Sequence, residues 1–86
     1  MKVLEYNCRV CGFDNYPDCF WTNDIPYYII CPCCGCESGN EDYSIEVVKR
    51  YREKWINGGA DWVEPKEKPE KWNKEEQFKN IPQGYK

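Results

Sequence analysis

A chain of 86 residues has room for one small domain, and one this short buries too little apolar surface to rest on its core alone. Its net charge of −3, with Lys and Arg clustered only in the C-terminal half and interleaved with acids, argues against a phosphate-binding stripe and so against nucleic acid. No run nears the roughly 20 apolar residues of a membrane span, and MKVLEYNCRV lacks the apolar stretch of a signal peptide, so the chain reads as cytoplasmic, with no membrane partner.

Residues 2–7 read as a strand, with Val3 and Glu5 on one face and Leu4 and Tyr6 on the other. CRVCG at 8–12 makes a tight turn. Residues 13–26 mix aromatics with Asp, Asn and Pro and read as a loop with packed anchors, in which Cys19 is a small buried hydrophobe. YYIIC at 27–31, β-branched and aromatic, predicts a second strand running straight into a second turn, CPCCGC at 31–36.

A polar connection over 37–43 leads to a helix over 45–57. Ser44 is its N-cap, Glu46 lies in its first turn and Gly58-Gly59 stops it. Helical spacing turns Ile45, Val48, Tyr51 and Trp55 toward the ribbon and Lys49, Arg52 and Glu53 toward water. EPKEKPEK is then an extended linker. A short helix follows over 74–80, with Asn73 as N-cap, Glu76 completing a capping box and Pro82 ending it.

The organisation is therefore a ribbon plus helix over 1–63 and a charged tail with a short helix over 64–86, docked on the same domain. Burying a large aromatic contributes about 2–3 kcal/mol, against roughly 1–2 kcal/mol of backbone entropy for each ordered residue. Trp62 and Trp72 pin such a tail only weakly, so 64–70 and 83–86 are expected to be its most mobile parts.

The cysteines carry the chemistry. Seven thiols in a cytoplasmic chain point to metal rather than to disulfides, and an odd number fits full pairing poorly. Cys8 and Cys11, then Cys31 and Cys34, form two C-x2-C turns, each followed by glycine and separated by 19 residues. That is the spacing of a four-thiolate site: each turn aims two sulfurs at one point, and two turns complete a tetrahedron. The competing register, Cys33 and Cys36, lengthens the gap to 21 residues, puts Glu37 where glycine is wanted and loses the Cys-Pro start. Cys19, Cys33 and Cys36 are then spare. No histidine is present to serve a nucleophilic thiol as base, so an enzyme is not expected.

YNCRVCGFD with CPCCG resembles the two knuckles of rubredoxin-like and zinc-ribbon proteins over residues 6–35. That resemblance implies Cys8, Cys11, Cys31 and Cys34 as ligands. ICPCCG, YREKWINGGADW and KWNKEEQFKNIP resemble a group of small bacterial cysteine-rich proteins of the CPCC type, which brings no established activity. The fold expected is a metal-stabilised α+β ribbon, a β-hairpin carrying both knuckles, followed by one amphipathic helix and the tail. The role expected is a structural Zn2+ module that meets a protein partner, the alternative being a rubredoxin-like iron electron carrier. With 4 Trp, 7 Tyr and 3 Phe, some aromatic side chains are candidates for that partner surface.

Overall fold

Asn23 and Asp24 both take a left-handed backbone, at φ 51° and 65°, and this is the geometry of a tight turn whose twist matches antiparallel strands. The computed structural model, which describes residues 2–86, builds its sheet around that turn. β1 (Leu4–Glu5) pairs antiparallel with β2 (Trp21–Thr22), and β2 with β3 (Ile25–Pro26). Leu4 lies opposite Thr22, and Thr22 in turn opposite Ile25, in a sheet of order β1-β2-β3.

The second predicted strand, 27–31, does not form as such. Pairing takes place at 25–26, inside the segment read as loop, and Tyr28 leaves the extended region at φ 56°. Turn chemistry at Asn23-Asp24 outweighs the β-propensity of the Tyr-Ile run. The first strand also shrinks to Leu4–Glu5, with a separate bridge from Asn7 to Asp14. Cys19 lies half-exposed on the connection, not buried in it.

α1 (Ile45–Asn57) has the bounds that its caps dictate: Ser44 Oγ accepts from the Val47 amide at 3.3 Å, and Gly58 closes it. Its orientation corrects the sequence pattern at both ends of the scale. Val48 is fully buried, but Ile45 is 38% exposed. Arg52, expected in water, reaches inward to the carbonyls of Val10 (Nε, 2.6 Å), Arg9 (Nη2, 2.9 Å) and Tyr85 (Nη2, 2.6 Å). Hydrophobic periodicity registers apolar side chains only; it is blind to a guanidinium recruited by carbonyls.

Arg9 is a buried cation held from every side. Its guanidinium stacks on Trp21 (3.8 Å) and Tyr85 (4.3 Å), and forms a two-pronged pair with Glu5 at 2.8 Å in each arm. It also donates to the Asp42 carbonyl at 3.0 Å. Burial alone would lower its pKa, but Glu5, together with Tyr85 and Asp42, outweighs this and holds it above the ordinary value. Asp42 is buried as well, and accepts from Trp21 Nε1 (2.9 Å) and the Gly39 amide (2.7 Å). This cluster ties β1, β2, the connection before α1 and the C-terminal residues together.

Beyond α1 the linker is not simply extended, since Pro65–Glu67 forms one 3-10 turn. α2 covers Lys74–Phe78, shorter than the predicted 74–80. Asn73 Oδ1 accepts from the Glu76 amide at 3.0 Å, but the Glu76 side chain pairs with Lys79 (3.1 Å), leaving the capping box half built. A second 3-10 turn spans Gln83–Tyr85. Among the described residues, no helix is long and apolar enough to cross a membrane.

Arg52→Ala is expected to destabilise the protein by about 1–3 kcal/mol, because part-buried carbonyls lose a charged donor. Glu53→Ala, on the exposed side, is expected to change stability by less than about 0.5 kcal/mol. Urea unfolding of the two variants checks the contrast.

Candidate metal centre

Each C-x2-C turn is closed by the same local bonds. The Gly12 amide donates to the Cys8 carbonyl (2.8 Å) and the Cys8 amide to Phe13 (2.9 Å). In the second turn the Gly35 amide donates to Cys31 and the Cys31 amide to Cys36, both at 2.9 Å. Gly12 and Gly35 both sit at φ 81°, where a side chain is strained. Bridges Asn7–Asp14 and Ile30–Glu37 close the base of each turn. Two near-identical knuckles result, facing one another.

Between them lie the sulfurs of Cys8, Cys11, Cys31 and Cys34, all buried and all within 4.8 Å of one another. Cys8 and Cys34 approach to 3.6 Å, as do Cys11 and Cys31. A disulfide would need about 2.05 Å, and all seven cysteines are free. A tetrahedral ion at about 2.3 Å from each sulfur spaces the sulfurs by about 3.8 Å. The donor set therefore fits one soft or borderline divalent ion, zinc and iron alike.

Electrostatics points the same way. Burial raises the Cys8 thiol, but hydrogen bonds from Cys11, Cys31, Cys34 and Cys36 outweigh it and hold Cys8 well below its ordinary pKa. Cys11 is pushed well above its own, by burial first and then by bonds to Cys31, Cys33, Cys34 and Cys8. One thiolate is thus stabilised at the expense of its neighbours. A divalent cation is what lets all four ionise together. Arg52 adds positive charge beside Cys8, Cys11 and Cys34.

The shell around the sulfurs is built from residues that the cysteine spacing does not mark. In the first knuckle, the Arg9 and Val10 carbonyls accept from Arg52, and the Cys11 carbonyl accepts from Gln77 Nε2 at 3.1 Å. In the second, the Pro32 and Cys33 carbonyls accept from the amides of Glu64 (2.9 Å) and Val63 (3.1 Å). The Cys34 carbonyl accepts from the Tyr51 hydroxyl at 3.1 Å. Three outward carbonyls in each knuckle are capped, one knuckle mainly by side chains and the other mainly by backbone. The Val10 amide also points at Cys8 Sγ, at 3.4 Å.

Cys33 and Cys36 fall outside the four-sulfur set, yet both are buried against it. Gln77 Nε2 donates to Cys33 Sγ at 3.4 Å. The sequence signal for the shell was slight. Gly12 marks a place where chain passes close, since a Cβ there would collide with the Gln77 carbonyl oxygen, but nothing in the sequence says which segment passes.

The chain is 29% identical over 82 residues to an uncharacterized protein of Bacillus subtilis (strain 168), YozI, in an alignment covering 76% of this chain and 68% of that protein. No protein-family model matches the chain. No solved structure matches it.

Gly12→Ala is expected to loosen α2 from the knuckle: the backbone strain alone costs about 1–2 kcal/mol, and the new methyl displaces Gln77. Gly84→Ala, with nothing within 4 Å of its Cβ, serves as control. Faster proteolytic cutting among Lys66–Lys79 in Gly12→Ala, and not in Gly84→Ala, is the expected result.

Proposed function

We propose that the chain is a structural metal-binding module, a rubredoxin-like zinc ribbon in which Cys8, Cys11, Cys31 and Cys34 hold one Zn2+. One observation carries this reading: four buried sulfurs at tetrahedral spacing, with the knuckle carbonyls around them already capped by the protein. Such a site has four protein donors and leaves no place for a reacting water, which is the arrangement of a structural ion rather than a catalytic one. The module is non-enzymatic and cytoplasmic. The ICPCCG block and the KWNKEEQFKNIP tail support grouping it with the small bacterial cysteine-rich proteins of the CPCC type, and the similarity to a Bacillus subtilis protein is in keeping with a bacterial setting.

Its working surface is for a protein partner. Val3, Leu4, Ile25, Tyr27, Tyr28 and Ile30 are all exposed, on the sheet and the segment that follows it. Exposed apolar and tyrosine side chains of this kind suit a protein interface. Capture of a partner by the wild type and not by an Ile25→Asp, Tyr28→Ser variant supports this face. Capture that the variant leaves unchanged moves the contact elsewhere.

Elemental analysis with an absorption spectrum tests the metal. One zinc per chain and no visible bands are expected; visible sulfur-to-iron bands would instead make the protein a rubredoxin-like electron carrier. Serine at any of Cys8, Cys11, Cys31 or Cys34 is expected to release the ion and unfold the ribbon, because binding energy here is folding energy. Metal should also leave as pH falls, since protons compete for the thiolates. A Cys31→Ser variant that keeps both metal and fold would overturn the ligand set.

A further inference from the structure

The four indoles are not equally satisfied. Trp21 Nε1 donates to Asp42 Oδ2 at 2.9 Å, Trp55 Nε1 to the Asp61 carbonyl at 2.9 Å, and Trp72 Nε1 to Gln77 Oε1 at 2.8 Å. Trp62 is 7% exposed, yet its Nε1 has no acceptor, and among the described residues it is the one buried side-chain polar atom left so. The rings beside it, Phe13 at 5.7 Å and Trp72 at 5.5 Å, offer only π faces, which are second-order acceptors. A buried donor without a partner is costly, and it points to an acceptor brought from outside the chain.

Trp62 also lines a cleft of about 420 Å³ between the first knuckle and the tail, together with Phe13, Asp14, Pro69, Glu76 and Lys79. That volume is in the range of sites that take small ligands or a few residues of peptide. Glu76 and Lys79 pair at 3.1 Å and largely cancel in charge. Asp14 is exposed and forms no ion pair among the described residues, and the Tyr16 amide holds its Oδ1 at 2.9 Å. The cleft therefore presents an apolar lining, one donor that needs an acceptor and one unpaired negative charge. Apolar rings, a carbonyl oxygen and a cation answer these in turn.

We propose that this cleft binds a basic, proline-rich segment of a protein partner. In a polyproline II strand the carbonyls are free, and proline carries no N–H that would itself need an acceptor. One carbonyl accepts from Trp62 Nε1, a proline ring packs on Phe13 and Trp62, and a Lys or Arg pairs with Asp14. Nε1 is covered in the free chain, so docking includes a small shift of the cleft wall. The chain's net charge of −3 favours the approach of a basic segment. The cleft shares no residue with the exposed sheet-side surface, and its chemistry is the same whichever ion the sulfurs hold.

Titration of the 15N-labelled full chain, as purified, with a blocked PPRPPRPP peptide tests it, with calorimetry supplying the Kd. The Trp62 indole N–H resonance, assigned by its loss in Trp62→Phe, is expected to move while that of Trp21 stays. Blocked PPEPPEPP and GGRGGRGG peptides are expected to bind far more weakly. Trp62→Phe keeps an aromatic ring but lacks the N–H, and is expected to weaken binding about tenfold. Asp14→Asn keeps Oδ1 for the Tyr16 amide, and is expected to weaken binding about threefold and to reduce its salt dependence. Absence of saturable binding by PPRPPRPP overturns the proposal. So does equal binding by GGRGGRGG, which would be attraction of charge alone. Shifts confined to Leu4, Ile25 and Tyr28 would put the peptide on the sheet side and overturn it too. Should Trp62→Phe not fold, Asp14→Asn decides: an unchanged Kd there, with the wild-type Trp62 indole unmoved, rejects the cleft.

Discussion

Four sulfurs held within 4.8 Å join parts of the chain that lie 20 and 26 residues apart, and the rest of the molecule is arranged around that junction. A sheet made of two-residue strands cannot make such a closure by itself. Bringing the knuckles together costs loop entropy and crowds four ionisable groups in a place without water. An ion bound by all four answers both costs at once. It draws the loops closed and replaces the repulsion between thiolates with attraction.

A knuckle solves one problem and creates another. Folding five residues into a tight turn leaves carbonyls pointing outward, and covering the turn with protein obliges every one of them to find a donor. The C-terminal half is organised by that obligation. α1 supplies Arg52 and Tyr51, the chain beyond it supplies the Val63 and Glu64 amides, and α2 supplies Gln77. Arg52 also accounts for the end of the chain, since it donates to the Tyr85 carbonyl while the Tyr85 ring covers Arg9. The tail is thus tied to the two knuckles by directed bonds as well as by the buried side chains of Trp62 and Ile81.

Aromatic side chains then connect the pieces sideways. Phe13 of the first knuckle meets Trp62 (5.7 Å), Trp62 meets Trp72 (5.5 Å), Trp72 meets Trp55 (6.4 Å), and Trp55 meets Phe78 (6.2 Å). Most of these rings meet edge to face, the arrangement that ring quadrupoles favour. Trp21 and Trp62 are buried, while Trp55 and Trp72 are half-covered by this chain of contacts. The exposed apolar side chains are instead aliphatic residues and tyrosines, among them Leu4 and Ile25 on the sheet, Tyr28 and Ile30 after it, Ile45 on α1 and Val63 beyond it.

Local signals alone determined the parts whose cause is local. C-x2-C-G spacing singles out the four cysteines that the fold gathers, because a knuckle's geometry lies within five residues. Ser44 and Gly58 bound α1 because capping depends on side chains at its own ends, and Asn73 starts α2 for the same reason. Only the tertiary structure decided where strand pairing falls, which way Arg52 turns and what covers each knuckle. The turn at Asn23-Asp24 competes with the β-propensity of 27–31, and the winner depends on which pairing the rest of the fold completes. Arg52 and Gln77 are polar residues at helical positions, indistinguishable in sequence from solvated ones until carbonyls 33 to 66 residues away require their donors.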